Sequence, residues 1–396
     1  MGIFKKENRN LLIIALIALV NMLGYGIIIP LIYAYSRKYG LSDFENGLLF
    51  SLFSVCQFIS TPIIGRLSDK YGRRPLLVIS ILGTVASFFI MAFAPSALFL
   101  YIARALDGLT AGNIPVAFAV ISDSTEPKDR AHAFGIVGAA FSFGFVFGPA
   151  VAALSVGWGS GVPFIIAGVI TLIAALMTIF YLPETNKHIG QKHTGKLFDL
   201  PLLAKTLVEP HVGPTFLITL IFFLAFSCSI IFGFQPYVLN VLHLSAQGNA
   251  ILFVIFGAIG LVTQTFLVQR VSKWLGVKKA FMVSLGFTAA ALFVMTLIPS
   301  LTLFVGAMAI IGLFNSIVQT LIPTILSQEA DAKSQGSVMG LNASYQSIGM
   351  IVGPIAGGFL SAYARPLPFI IGSLLIVICL YLSRMVMRPG SKASTF

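Results

Sequence analysis

Apolar residues run along this chain in stretches of about 20 or more, separated by short polar connections. Stretches of this length predict membrane-spanning helices, whereas the strands of a membrane barrel would alternate apolar and polar positions over about ten residues. The pattern predicts an all-α membrane protein with twelve transmembrane helices. Their predicted ranges are 11–35, 46–66, 75–94, 97–121, 131–154, 161–182, 212–238, 247–268, 278–298, 301–326, 337–362 and 366–387.

The longest polar stretch, residues 183–211, lies near the middle of the chain. It divides the sequence into a predicted N-terminal six-helix bundle, residues 1–182, and a C-terminal six-helix bundle, residues 212–396. We interpret residues 183–211 as the linker loop between the two bundles.

The two halves share an internal repeat. A shift of 205 residues aligns six identical pairs without a gap: Lys128 with Lys333, Gly135 with Gly340, Ser142 with Ser347, Gly144 with Gly349, Gly148 with Gly353, and Pro149 with Pro354. Two pseudo-symmetric halves that bind substrate at mid-membrane are a transporter architecture. This repeat is not expected in a channel or in a membrane enzyme.

Composition and charge agree with a membrane location. The chain is 57% hydrophobic and 10% charged, which excludes a soluble globular domain. Of its 25 Lys and Arg residues, 21 fall in connections on the side of the two termini, and the opposite side has Arg37, Lys38 and Arg365. The positive-inside rule therefore places both termini and the linker in the cytoplasm. Topology explains the net charge of +12, so no nucleic-acid partner is expected.

The chemistry of the chain gives no sign of an enzyme. Cys56, Cys228 and Cys379 each lie inside an apolar stretch without CxxC spacing, so neither a disulfide nor a zinc site is expected. The five histidines form no metal-spaced cluster, and HExxH and GxSxG motifs are absent from the sequence. We expect no metal and no cofactor. The apolar run after Lys5, Lys6 and Arg9 is too long for a cleaved signal, so it is interpreted as the first permanent helix.

The connection after the second predicted helix, residues 65–75 (GRLSDKYGRRP), combines glycines with one acid among bases. Glycines suit a tight connection, and the acid can pair locally or bond to a helix N-terminus. The corresponding connection in the second half, residues 270–279, keeps the bases but has Lys273 opposite Asp69. The alternative interpretation is a basic cytoplasmic loop whose glycine pattern is coincidental.

Arg104 and Asp107 are the two formally charged residues that we predict inside membrane helices. Buried charge is costly, so such residues are functional candidates. Their i,i+3 spacing puts them on one face of the fourth helix. Burial disfavours the ionised carboxylate and the arginine favours it, so the charge of Asp107 would respond to bound cations and to conformation. The alternative is a static ion pair that holds helices in register.

The fifth and eleventh predicted helices share a helix-packing pattern of two glycines four residues apart followed by proline. Small residues at this spacing let helices approach closely, and proline bends the axis. A generic tight interface would use the same residues. They are Gly144, Gly148 and Pro149 in one helix, and Gly349, Gly353 and Pro354 in the other.

The 65–75 connection resembles the signature loop of the major facilitator superfamily, which closes the cytoplasmic face and helps to set the balance of inward- and outward-facing states. By this resemblance the residues of the cytoplasmic gate are Gly65, Asp69, Gly72, Arg73 and Arg74. The superfamily fold would be two pseudo-symmetric six-helix bundles.

Three further stretches resemble the tetracycline-resistance-like drug:proton antiporters of this superfamily. The fifth helix resembles their antiporter motif, with Ala152 and Ala153 in place of the usual final glycines. Residues 104–113 (RALDGLTAGN) resemble their fourth-helix signature, in which the arginine is implicated in proton transfer. The first helix resembles theirs over residues 21–30, but Asn21 stands where those exporters carry an acid, which puts metal–tetracycline recognition in doubt.

Uncharged polar side chains inside the predicted helices are candidates for the substrate cavity. Amides and phenols bond to varied ligands without committing a charge, although each one can equally make an interhelical hydrogen bond. The set is Asn21, Tyr25, Gln57, Asn113, Gln235, Gln264, Asn315, Gln319, Asn342 and Gln346.

These features together predict proton-coupled export of small lipophilic or amphipathic compounds by alternating access. Asp107 would carry the proton with Arg104 as its electrostatic partner. The alternative is transport of a natural metabolite such as a sugar or siderophore. A membrane enzyme or a non-transporting scaffold is the alternative from a different functional class. The expected partners are a small-molecule substrate, protons and the lipid bilayer. We expect a monomer in a bacterial inner membrane.

Overall fold

The computed structural model describes residues 6–126, 129–186, 189–190, 200–297, 299–331 and 334–386. Lys128 and Lys333 of the predicted repeat, and residues 187–188 and 191–199 of the predicted linker, lie outside these residues. The described part contains sixteen α-helices and no β-strand. They are α1 (Lys6–Arg37), α2 (Asp43–Tyr71), α3 (Arg73–Ala92), α4 (Ala97–Thr110), α5 (Asn113–Ser124), α6 (Arg130–Ser155), α7 (Val162–Tyr181), α8 (Leu200–Leu207), α9 (Gly213–Phe226), α10 (Phe234–Asn240), α11 (Ala246–Val262), α12 (Val268–Leu275), α13 (Val277–Val294), α14 (Leu301–Glu329), α15 (Gln335–Tyr363) and α16 (Leu367–Leu382).

Eleven helical stretches of the described chain are long and apolar enough to cross a membrane. Three of them join consecutive helices: α4 with α5, α9 with α10, and α11 with α12. The predicted helix 337–362 corresponds to α15, which has 29 residues but is rich in glycine and polar side chains. With α15 as the twelfth, the elements match the predicted all-α architecture.

The connection between α2 and α3 is shorter than the sequence predicted. Residues 65–71 continue α2, Gly72 alone separates the helices, and α3 begins at Arg73. Gly72 has φ 108°, a left-handed conformation that favours glycine. The prediction of a loop over residues 65–75 was therefore wrong for most of its length, because one glycine is enough to reverse the chain.

Three predicted helices are interrupted. A turn at residues 111–112 separates α4 from α5, and Pro115 in the first turn of α5 lacks the N–H that would continue the ladder. Ser227–Gly233 and Thr263–Leu267 are π-helical segments within the two longer spans. Such interruptions in transmembrane helices often mark functional positions.

The contacts divide the chain into two compact units. The first comprises Met1–Leu41, Leu52–Leu197 and Ser245–Val254. Its core is a cluster of buried aliphatic side chains from α1, α3, α5 and α6, including Ile14, Ile17, Leu77, Val120 and Val137. The short segment from α11 belongs here because the Asn249 side-chain amide donates to the Pro30 carbonyl at 2.6 Å.

The second unit comprises Ser42–Ser51, Phe198–Leu244 and Ile255–Phe396. Stacked rings form part of its core: Tyr237 lies parallel to Phe304 with centroids 5.4 Å apart, and Phe369 meets Tyr237 edge-on. The opening residues of α2 belong to this unit, because Asp43 pairs with Arg365. The predicted domain limits at 182 and 212 remain a prediction.

Candidate functional site

Arg104 and Asp107 form a buried ion pair on α4. Their exposed fractions are 2% and 7%, and Arg104 Nη1 lies 3.3 Å from Asp107 Oδ2. The hydroxyl groups of Thr84 and Ser87 on α3 lie near the Asp107 carboxyl group, and the Ser87 hydroxyl donates to the Thr84 carbonyl at 2.9 Å. The carboxyl group therefore has Arg104 as its ionic partner and two hydroxyl groups close by.

The guanidinium of Arg104 is held on two sides. It lies 4.3 Å from the centroid of the Phe53 ring, close enough for a cation–π interaction. Tyr25 packs against the same ring at a centroid distance of 6.3 Å. Arg104 Nε is buried and has no hydrogen-bond partner in the described structure. This nitrogen is a free donor inside the membrane-spanning part of the first unit.

Close packing fixes the position of the pair. A Cβ atom on Gly108 would lie 2.5 Å from the Phe53 carbonyl oxygen and 2.6 Å from Cys56 Cβ. The Ser60 hydroxyl donates to the Gly108 carbonyl at 2.9 Å. Glycine at this position therefore lets α4 lie directly against α2, so the backbone that carries Asp107 has little room to move sideways.

Asn21 and Asn113 meet near the interruption between α4 and α5. Asn113 Nδ2 donates to Asn21 Oδ1 at 3.1 Å, and Asn21 Nδ2 donates to the Ile17 carbonyl at 2.9 Å. Asn113 Oδ1 is buried without a partner. Gln57 on α2 is half-buried. The structure thus brings together Asn21 with Asn113, and Arg104 with Asp107, within the first unit.

The predicted cavity residues of the second unit are spread over several elements. Gln235 is fully buried on α10, and its Nε2 donates to the Ile231 carbonyl while its Oε1 has no partner. Asn342 Oδ1 accepts from Thr219 at 3.0 Å. Gln264 lies in the second π-helical segment, Asn315 and Gln319 lie on α14, and Gln346 lies on α15. Only Asn342 and Gln264 have side-chain partners on another helix among those described.

Asp123 and Glu329 are charged residues that lie within helices but beyond the helix ends predicted from the sequence. The cause is that α5 and α14 run further than predicted. Asp123 lies near the end of α5. Glu329 ends α14 with 5% of its surface exposed, and its Oε2 accepts from the Thr215 hydroxyl at 2.7 Å.

The predicted gate residues are linked by ionic contacts. Arg73 pairs with Asp69, its Nε lies 3.3 Å from Asp123 Oδ2, and its Nη1 donates to Ser68 Oγ at 2.7 Å. Arg73 thereby joins the end of α2 to the end of α5. Gly65 has open space around it, so its role is not one of close packing.

Glu184 completes this cluster. Its carboxylate accepts from the backbone amides of Arg73 at 2.9 Å and Arg74 at 3.1 Å, which are the first residues of α3. A negative charge at a helix N-terminus is stabilising. Sequence reasoning missed both Glu184 and Asp123, because nothing in their local sequence shows that they fold onto the start of α3 from 50 and 111 residues away.

The paired glycine patterns lie at close helix contacts. A Cβ on Gly148 of α6 would lie 2.6 Å from the Leu23 carbonyl oxygen of α1. A Cβ on Gly349 of α15 would lie 2.7 Å from the Leu224 nitrogen of α9. Gly26 approaches Pro149 in the same way, and Gly353 approaches Ser227. Both units therefore use the pattern to bring two helix backbones together.

Comparison with known proteins identifies the family to which this architecture belongs. The family model described as Major Facilitator Superfamily matches residues 14–354 and 217–396. The chain belongs to the Major Facilitator Superfamily. It is therefore a multi-pass membrane transporter, as the 65–75 connection and the repeat predicted.

Relatives and solved structures of this superfamily align over nearly the whole chain. Multidrug resistance protein 1 of Bacillus subtilis (strain 168) is 30% identical, covering 99% of this chain and 100% of the relative. Tetracycline resistance protein, class C, of Escherichia coli is 28% identical, covering 95% and 96%. A bacterial homolog of the human lysosomal transporter Spinster superposes with a TM-score of 0.77 at 19% identity, covering 98% and 100%. The last of these supports the fold alone.

Proposed function

We propose that this transporter exports small lipophilic or amphipathic compounds in exchange for protons by alternating access. Asp107 carries the proton and Arg104 is its electrostatic partner. The observation that carries the proposal is the buried Arg104–Asp107 pair, next to the break between α4 and α5. The chain works as a monomer in the bacterial inner membrane.

The chemistry of the pair suits a switch between two protonation states. With Asp107 ionised, the arginine and the carboxylate neutralise each other, which lowers the cost of burying both. When Asp107 takes a proton, the nearby hydroxyl groups of Thr84 and Ser87 are the polar groups to which its neutral carboxyl group can hydrogen-bond. Arg104 then has a free positive charge as well as its unpartnered Nε. Protonation of Asp107 therefore changes the charge of the site by one.

Two observations support a lipophilic or amphipathic substrate. The polar candidates around the pair are uncharged, with Asn113 Oδ1 as a free acceptor, and the neighbouring rings of Tyr25 and Phe53 offer apolar contacts. Two of the relatives are named for multidrug and for tetracycline resistance. A strongly charged metabolite would need more fixed countercharge than Arg104 supplies.

The distribution of Lys and Arg supports cytoplasmic termini, because positively charged connections are retained on the cytoplasmic side. The gate cluster around Arg73 then faces the cytoplasm. Attaching an impermeant thiol reagent to single cysteines at Lys38 and at Lys279 in intact cells tests this: we expect labelling only at Lys38→Cys, and labelling only at Lys279→Cys would reverse the topology.

The decisive experiment is proton flux in liposomes that contain the purified transporter and a pH-sensitive dye. A panel of lipophilic cations, neutral drugs and sugars is added to wild type, Asp107→Asn and the control Glu45→Gln. Glu45 is an exposed acid at the start of α2, so the control removes a carboxylate away from the site. Drug-driven proton flux in wild type and the control, but not in Asp107→Asn, supports antiport.

A charge-neutral double variant separates this role from a static ion pair. If the pair only holds helices together, Arg104→Gln combined with Asp107→Asn removes both charges and restores transport that either single variant loses. If Asp107 carries the proton, the double variant folds but stays uncoupled. Proton flux driven by sugars instead of drugs would show that the protein is a metabolite transporter instead of a drug exporter.

A further inference from the structure

The turns that precede α3 and α13 each contain one glycine between two helices, but they differ in charge. Aligning Gly72 with Gly276, which both have positive φ (108° and 77°), places Lys273 opposite Asp69 and Trp274 opposite Lys70. In the first turn Arg73 has two carboxylate partners, Asp69 and Asp123. Acids of α2 and α5 therefore neutralise the charge of Arg73 in the first turn.

The cations of the second turn lack such acidic partners in the part of the chain that the structure describes. Among the described residues, Arg270, Lys273 and Lys279 are exposed and none has a carboxylate within ion-pair distance. The fourth cation, Lys278, already has a hydrogen-bond acceptor, because its Nζ donates to the Val386 carbonyl at 2.6 Å. Three uncompensated positive charges thus remain around one glycine turn.

These cations follow exposed apolar residues along the same span. Val262 and Phe266 are 53% and 56% exposed, and the exposed side chains of Arg270 and Lys273 come after them in α12. Trp274 is 83% exposed beside them. Exposed apolar residues on a spanning helix contact hydrocarbon, and Trp with Arg or Lys is typical of the level of the lipid headgroups.

We propose that Arg270, Lys273, Lys279 and Trp274 form a binding surface for the headgroup of an anionic phospholipid. The phosphate and the extra negative charge of such a lipid supply the countercharge that Asp69 and Asp123 supply in the first turn. A polybasic surface beside a membrane helix attracts anionic lipid by about 1 kcal/mol per basic residue, which is about fivefold in local concentration. The acyl chains lie along the apolar face of Val262 and Phe266.

The protein contains two tryptophans, which provide a matched pair of reporters. Trp158 is 78% exposed in the turn that follows α6, in a stretch without Lys or Arg between residues 151 and 165. Trp158→Phe leaves Trp274 as the single fluorophore, and Trp274→Phe leaves Trp158. Each variant is placed in nanodiscs of equal amounts of phosphatidylglycerol and phosphatidylcholine, with bromine near the headgroup end of the acyl chains of one lipid only.

Brominated lipid quenches a neighbouring tryptophan, so the comparison measures which lipid lies next to each residue. We expect brominated phosphatidylglycerol to quench Trp274 at least about twofold more than brominated phosphatidylcholine, and the two to quench Trp158 equally. Adding Arg270→Gln and Lys273→Gln to the Trp158→Phe background should remove the preference at Trp274. Lys38→Gln, which removes an exposed cation from another turn, should leave it unchanged.

Three results would overturn the proposal. Equal quenching of Trp274 by the two lipids, or an equal preference at Trp158, shows no specific surface. Loss of the preference with inorganic phosphate, but not with chloride of the same ionic strength, assigns the surface to a small free anion. If the double variant does not fold, a salt series on the Trp158→Phe protein decides, because screening should reduce the preference of a charged surface.

Discussion

Asn113 Nδ2 donates a hydrogen bond to Asn21 Oδ1 across 3.1 Å, and this contact ties the first turn of α5 to the middle of α1. Both side chains are uncharged, so a neutral amide pair occupies this position. Asn113 and Asp107 lie on the same span, within three helix turns of each other. The hydrogen bond can therefore hold this interrupted span against α1 without adding charge.

The first prediction is that Asn21 and Asn113 are energetically coupled. Hydrogen bonds between membrane helices average about 0.6 kcal/mol in double-mutant cycles and reach about 1.7 kcal/mol. We expect Asn21→Ala, Asn113→Ala and the double variant to give a coupling free energy in this range, measured by unfolding in mixed micelles. If the changes in unfolding free energy of the two single variants sum to that of the double variant, the two amides act independently.

The second prediction concerns the planar head group of Arg104. Because it lies over the Phe53 ring and pairs with Asp107, lysine cannot reproduce both contacts. We expect Arg104→Lys to lower drug-driven proton flux about tenfold or more, although the positive charge remains. Phe53→Tyr, which keeps an aromatic face, should retain flux, whereas Phe53→Leu should lose part of it. Wild-type flux in Arg104→Lys would mean that any cation suffices.

The features that the sequence could predict are those carried by local pattern. Apolar stretches placed the spans, and the recurrence of Gly144 at Gly349 located two equivalent helix contacts. Spacing of three residues placed Arg104 beside Asp107, and the structure has them in contact. Each of these features depends on residues that are close in sequence or that repeat.

The features that the sequence could not predict depend on contacts between residues that are distant in the chain. Glu184 bonds the start of α3 from 111 residues away, and no periodicity shows this. The break before Asn113 was missed because apolar residues continue through it, although Gly112 and Pro115 mark it. The amides of the second half were grouped by chemistry alone, and the structure places them on separate helices.

The third prediction concerns Glu184. Replacing it with alanine leaves the amides of Arg73 and Arg74 without their acceptor and adds uncompensated charge to the gate cluster. Losing a side-chain cap costs about 0.5–2 kcal/mol, so we expect Glu184→Ala to unfold at a lower temperature and to transport more slowly. Glu184→Gln keeps an acceptor oxygen and should be intermediate.

Glu209→Gln is the control for this experiment, since no hydrogen bond or ion pair of the Glu209 side chain is present in the described structure. Thermal unfolding in detergent and initial transport rates are measured on the same preparations. If Glu184→Ala unfolds and transports as wild type does, the carboxylate contributes nothing to the start of α3.

The fourth prediction tests the close contact between α6 and α1 with two glycines on one helix. A Cβ on Gly148 would lie 2.6 Å from the Leu23 carbonyl oxygen and 2.7 Å from Gly26 Cα, whereas a Cβ on Gly138 meets nothing within 4 Å. Overpacking costs about 1–3 kcal/mol, so Gly148→Ala should destabilise the first unit by about that amount. Gly138→Ala should be neutral or slightly stabilising, since alanine favours helix more than glycine does. Unfolding in mixed micelles measures both, and equal stabilities of the two variants would place the α1–α6 contact elsewhere.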